Sequence, residues 1–132
     1  MVSPLLARPR VVSPVEAGPG GDGFRGTCTV AVSPDEPVFA GHYPGFPILP
    51  GVCVVQCVHE AAAMLPPAGA GRLDLAAITS TRFVGAVFPG DDITVDLAWK
   101  RGDGFWACTA KAYTDRGEAA HVRLCYTDGG AA

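Results

Sequence analysis

The chain has little charge, no asparagine, and only two lysines against eight arginines. Charged residues make up 17% of its 132 residues and apolar ones 48%, with a formal net charge of −3. Without a basic surplus there is no electrostatic case for a nucleic-acid partner, which needs a positive patch against phosphate. No apolar run approaches the ~18 residues of a membrane-spanning helix, so no membrane partner is expected. Pro4, Arg8 and Pro9 interrupt the start, which argues against the apolar core of a secretory signal. Metal-ligand spacing is also missing: there is no Cys-x-x-Cys and no His-x-x-x-His. The absent asparagine points to a GC-rich coding sequence and says nothing about fold. Five cysteines (Cys28, Cys53, Cys57, Cys108, Cys125) are an odd number set within apolar segments. They read as reduced, buried thiols of a cytoplasmic protein.

The length fits one domain, residues 1–132. So apolar a composition in so small a domain suggests a subunit interface or a buried acyl-type pocket. Residues 1–23, ending in Ala17-Gly-Pro-Gly-Gly-Asp-Gly23, read as an irregular or weakly paired N-terminal segment. Apolar and small residues alternate from Phe24 to Val32, which suits a half-buried strand, and Ser33-Pro-Asp-Glu-Pro37 ends it. A helix is expected over Gly51–Leu65, apolar nearly all round and therefore buried, and stopped by Pro66-Pro67. Further strands are expected over Leu75–Ser80 and Arg82–Val87. The alternating Ile93–Trp99 run follows, then Phe105–Tyr113 and Ala119–Thr127. Turns at Phe88–Asp91, Gly102–Gly104 and Asp115–Glu118 separate them. One buried helix followed by an antiparallel meander is an α+β plan, with the sheet wrapping the helix.

The most informative stretch is Ala40-Gly-His-Tyr-Pro-Gly-Phe-Pro-Ile-Leu-Pro-Gly-Val52. Its prolines fix their own φ and restrict the residue before them, so the loop loses little further entropy on folding. It holds one imidazole, His42, and opens the helix at Pro50-Gly51. The bland reading of His42 is a turn histidine bonded to backbone. The stiff framing and the adjoining helix start favour the functional one.

This order of elements resembles the hot-dog fold. Residues Gly41–Val52 are similar to the signature of the 3-hydroxyacyl-[acyl carrier protein] dehydratases, as are Phe83-Val-Gly-Ala-Val-Phe-Pro-Gly-Asp91 and Lys111-Ala-Tyr113. The resemblance covers roughly Phe24 to Thr127. The histidine segment is the specific part, and the Pro-Gly-Asp turn is common among hot-dog proteins. It implies that His42 serves as a catalytic base, with Phe46, Pro50, Gly51 and Val52 contacting an acyl thioester. It also implies an acyl carrier protein as partner and a homodimer or heterodimer with another hot-dog subunit. No cofactor and no metal are called for. Two departures stand out. The family's N-terminal His-Arg…Pro-Phe segment has no clear counterpart in residues 1–20. The position of its catalytic carboxylate, fourteen residues after the histidine, holds Gln56.

Dehydrating a 3-hydroxyacyl thioester needs a base for the C2 proton, a stabiliser for the enolate-like oxygen and an acid for the departing hydroxyl. His42 suits the first task, because its pKa lies near neutrality. Gly51 offers a backbone N–H and the positive end of the helix dipole. Gln56 can hydrogen-bond a hydroxyl but cannot protonate it at neutral pH. Glu60 lies one turn on, ~6 Å along the axis, and is the candidate substitute. The alternative is that Glu60 simply pairs with an arginine such as Arg82. His59 reads as a packed or partly exposed histidine and His121 as a surface residue. Cys53 and Cys57 have no second base placed for them and read as core.

The expected function is therefore a dehydratase, or a dehydratase subunit, for carrier-bound acyl chains of fatty-acid or polyketide type. Three alternatives stay open: an enoyl-thioester isomerase, a non-catalytic hot-dog partner, and a thioesterase, which would want a carboxylate to activate water. A basic cluster drawn from Arg72, Arg82, Lys100, Arg101 and Arg116 is expected to meet the acidic carrier.

Overall fold

Ile93, Val95, Leu97 and Trp99 are at most 2% exposed, while Thr94, Asp96 and Ala98 between them face outward. That alternation runs through most of the sheet and fixes which face meets the core. The computed structural model describes residues 7–18, 23–37 and 48–128. Its strands are β1 (Arg10–Ala17), β2 (Phe24–Ala31), β3 (Leu73–Phe83), β4 (Asp92–Arg101), β5 (Phe105–Thr114) and β6 (Gly117–Asp128). Among the described residues one long helix, α1 (Gly51–Met64), lies between β2 and β3 in sequence. The strands form one antiparallel sheet in the order β1-β2-β4-β5-β6-β3.

The turns follow from their residues. In Phe88-Pro-Gly-Asp91, Pro89 presets its own φ and Gly90 takes φ +90°, a conformation that favours glycine. The Asp91 carboxylate accepts the Phe88 N–H at 2.9 Å, and the Gly90 N–H donates to the Val32 carbonyl at 2.7 Å. This ties the end of β2 to the start of β4.

Helix α1 starts after Pro50 with no side-chain cap and ends at Leu65, just before Pro66-Pro67. Cys53, Val54, Cys57, Val58, Ala61 and Ala62 face the sheet, all at most 4% exposed. The expectation of burial all round holds for that face only. Val52 is 71% exposed and Met64 46%, because one helix lies on a much wider sheet and nothing among the described residues covers its far side. At its C-terminal end the Trp99 indole donates to the Leu65 carbonyl at 2.8 Å, satisfying an acceptor the helix leaves open.

Two further expectations need correction. Residues 10–17 are not an irregular segment but strand β1, paired to β2 with register shifts between Val11 and Ser13 and between Ser13 and Glu16. Pro14, which cannot donate to a ladder, sits within this irregular stretch of an edge strand. Residues 73–83 form one strand with two register shifts rather than two separate ones. β3 is the other edge, and its apolar residues Leu75, Ile78 and Phe83 lie 39%, 51% and 52% exposed.

Truncation should separate core from edge. Ile93→Ala is expected to lower the unfolding free energy by about 3 kcal/mol in urea titration, as a buried isoleucine typically does. Ile78→Ala on exposed β3 should change it by less than ~0.5 kcal/mol. Equal effects would contradict this placement of the core.

Candidate active site

The start of α1 is where the sequence places an oxyanion donor. The first intrahelical donors are Cys53 N–H, to Pro50 O at 2.9 Å, and Val54 N–H, to the same carbonyl at 3.3 Å. The amides of Gly51 and Val52 precede them, and a helix has no intrahelical acceptor for its first N–H groups. Gly51 lets an aromatic ring pack directly on the helix start. A Cβ at this position would lie 2.7 Å from Cζ of Phe83, the last residue of β3. An apolar groove of about 440 Å³ opens beside this contact, lined by Ile48, Leu49, Gly51, Val54, Phe83 and Ala86. The Leu49 N–H donates to Val87 O at 2.8 Å and pins the groove's rim to the segment after β3. Of the sequence candidates, Pro50, Gly51 and Val52 thus meet at one helix end. His42 and Phe46 lie outside the described residues.

Gln56 is 9% exposed, although it lies on the side of α1 shared by the exposed Val52 and Ala63. Glu60 follows one turn later. Its Oε1 is 4.0 Å from Nη1 of Arg8, and its Oε2 is buried with no hydrogen-bond partner among the described residues. The arginine beside Glu60 is therefore Arg8, from the segment leading into β1, and not Arg82, which lies on β3 opposite His121. A second carboxylate, Glu36, is 4% exposed and accepts the Ala7 N–H at 3.0 Å. Sequence reading passed over Glu36 and Arg8. Their link to α1 spans too many residues to leave a local pattern.

The two helix cysteines are core. Burial pushes the Cys57 thiol up to about 12, with Glu60, Cys53 and Glu36 adding to the effect. Burial, with Glu36 adding to it, raises Cys53 as well. Neither offers a thiolate at neutral pH.

Near its other end α1 borders a cavity of about 220 Å³, lined by His59, Ala63, Pro66, Leu73, Trp99 and Tyr126. His59 Nδ1 lies 2.8 Å from the Tyr126 hydroxyl, and the rings stack with centroids 5.9 Å apart. His59 is thus a packed histidine bound to a strand 67 residues away. The pairing of strands also splits the expected basic cluster. Arg82 and Arg116 sit at the Gly51 end of the sheet, whereas Arg72, Lys100 and Arg101 sit at the Leu65 end. Arg72 pairs with Asp74 at 3.2 Å, and Arg101 lies over the Trp106 ring at 5.1 Å.

Burial lowers the His59 pKa below its ordinary 6.5, with the Glu60 carboxylate opposing the shift. A histidine that protonates less readily when folded gives the unfolded chain the extra proton. Its contribution to stability is present above the unfolded value of ~6.5 and is lost as pH falls below it toward the lowered folded-state pKa. The unfolding free energy should therefore drop as pH falls below about 6.5, and drop less in His59→Gln. Identical acid-side losses in both proteins, by urea titration, would exclude His59 as the source.

Comparison with known proteins agrees with this architecture. The sequence profile of the ApeI-like family, described as ApeI dehydratase, matches residues 22–120. A 3-hydroxyacyl-[acyl-carrier-protein] dehydratase FabZ from Desulforamulus reducens is 35% identical over 103 residues, covering 74% of this chain and 72% of the relative. Among solved structures, an uncharacterized protein from Erwinia carotovora subsp. atroseptica superposes with a TM-score of 0.72 at 22% identity, over 95% of this chain and 98% of that one. The dehydratase heterocomplex ApeI:P from Xenorhabdus doucetiae gives 0.67 at 20% identity, over 91% and 98%. A helix packed on an antiparallel sheet, the matched profile and the identity to the FabZ relative lead to one conclusion: the chain belongs to the ApeI-like dehydratases of the hot-dog fold.

Proposed function

We propose that this dehydratase acts on 3-hydroxyacyl thioesters delivered by acyl carrier protein, and that its reaction chamber is completed by a second hot-dog subunit. In this reading His42 takes the C2 proton and the Gly51 amide stabilises the oxygen of the resulting enolate-like thioester. The C3 hydroxyl then leaves as water with a proton from an acid that the partner subunit provides. The carrying observation is Gln56. It stands fourteen residues after His42, at the position where the family's pattern has a carboxylate, and it is buried; an amide there can hydrogen-bond a hydroxyl but cannot protonate it.

Three observations support the division of labour. The other carboxylate on this helix, Glu60, is a turn away with one oxygen 4.0 Å from Arg8. Exposed Phe83, at the end of edge strand β3, lines the groove beside Gly51, so a chain laid against that end of β3 would also reach the groove. A structural neighbour, ApeI:P from Xenorhabdus doucetiae, is a dehydratase heterocomplex. The carrier as donor follows the named substrates of the FabZ relatives.

The experiment is a mixing assay on a 3-hydroxyacyl thioester. Alone, the chain should dehydrate poorly. A sister hot-dog chain with a carboxylate at the matching position should restore the rate, and His42→Ala in this chain should abolish the gain. Gln56→Glu should raise activity of the chain alone by about 10²-fold or more, the usual weight of one general acid. Glu60→Gln should leave it within a few-fold. High activity of the chain alone that falls by about 10²-fold in Glu60→Gln would transfer the acid role to Glu60 and refute the shared site.

A further inference from the structure

Two depressions on the helix side of the sheet touch opposite ends of one strand. Phe83, the last residue of β3, lines the groove beside Gly51, and Leu73, the first, lines the cavity near the other end of α1. Between them Thr81, Ile78 and Leu75 pair with Val122, Leu124 and Tyr126 of β6, which are buried beneath the helix. Side chains of directly paired residues stand on the same face of a sheet, so this row of β3 borders α1 without being covered by it. On the helix, Val52, Gln56, His59 and Ala63 recur three or four residues apart and share one face. His59 and Ala63 meet Leu73 at the cavity. A strip of surface therefore leads from the groove to the cavity.

The cavity wall is apolar apart from three side chains. The Trp99 indole already donates to the Leu65 carbonyl. The other two, His59 and Tyr126, bind each other at 2.8 Å. Burial raises the Tyr126 pKa, so the phenol keeps its proton and donates it to Nδ1 of His59. The neutral imidazole then carries its hydrogen on Nε2. Nε2 makes no hydrogen bond among the described residues, and the phenol oxygen keeps room to accept one. An alkyl chain filling this cavity would strip water from both groups and return nothing. An oxygen on the chain would replace that water.

We infer that the cavity receives the far part of the substrate's acyl chain, and that this part carries a second oxygen, a hydroxyl or carbonyl, held by His59 and Tyr126. The inference rests on the thioester reading above and deepens it by naming the class of chain. The dimensions agree. From Gly51, whose amide meets the thioester oxygen, the helix rises about 12 Å to His59. One lipid tail spans about 15 Å of a bilayer, so a long extended chain reaches past His59 into the cavity. An apolar cavity of ~150 Å³ holds a benzene ring, so this one of about 220 Å³ has space for several carbons beside the oxygen.

The test measures binding apart from chemistry. Acyl-pantetheine amides without a C3 hydroxyl, matched in length and ending in either methyl or hydroxyl, are titrated calorimetrically into the full chain with its sister hot-dog subunit. Among short members the two ends should bind alike. At the length that reaches His59, the hydroxyl-ended amide is expected to bind about tenfold tighter or more, the weight of leaving buried polar groups unpaired. Tyr126→Phe should bring the two sets together. His59→Leu should do the same, whereas His59→Gln, which keeps a donor, should retain part of the preference. Ala63→Leu, at an exposed helix position that needs no repacking, should weaken long members of both sets more than short ones. Equal or tighter binding of methyl-ended chains at every length would overturn the assignment. So would binding by neither set, or a hydroxyl preference that survives both Tyr126→Phe and His59→Leu. If the preference and its loss hold while no 3-hydroxyacyl thioester is dehydrated, the cavity's assignment stands and the catalytic reading falls.

Discussion

The helix is too narrow for its sheet. Six strands spaced ~4.8 Å apart span about 24 Å, and one helix with its side chains covers about 10 Å of that width. The apolar face of α1 lies over the central strands, where Val58, Ile93, Val95 and Val122 are sealed from water. What remains uncovered is edge strand β3, with Leu75, Ile78 and Phe83 open to solvent, together with Val52 on the helix itself. Most of what distinguishes this molecule follows from that mismatch. The groove beside Gly51 opens at Phe83, on the same uncovered border.

The two ends of α1 are held differently. The Leu65 end is fastened: the Trp99 indole occupies the last carbonyl, and the Tyr126 hydroxyl reaches His59 one and a half turns earlier. The Gly51 end has neither a side-chain cap nor an acidic residue in its first turn. An N-terminal Ser or Asp would stabilise the helix by accepting from its first amides. Pro50 stands there instead, fixing its own φ and bringing no side-chain acceptor. One end of the helix is fastened to the sheet by side chains, and the other carries no side-chain cap.

Much of this was legible in the sequence, and the omissions share a cause. Alternation in Ile93–Trp99, the Pro-Gly-Asp turn and the double-proline stop are local patterns, and each element formed where those patterns put it. The burial of Gln56 was not legible, since a polar side chain in an apolar helix carries no sign of which face it takes. Likewise, the residue beside Glu60 had to be guessed, and Arg82 was the wrong guess. An ion pair between positions 8 and 60 leaves no periodic trace in either segment. The strand at 10–17 was missed for a different reason: Pro14 and the flanking glycines carry breaker signals, and only the ladder from β2 overrides them. The basic residues misled because proximity on a sheet depends on register. Arg82 pairs across strands with His121, while Arg82 and Arg101 lie at opposite ends.

The contact between Gly51 and the ring of Phe83 joins two parts of the molecule that serve different ends. One closes the sheet's margin, and the other begins the reacting helix. A Cβ on residue 51 would lie 2.7 Å from the ring's Cζ, so the bare glycine is what lets the ring seat against the helix start. Whatever moves the end of β3 is felt first through that ring, at the opening turn of α1.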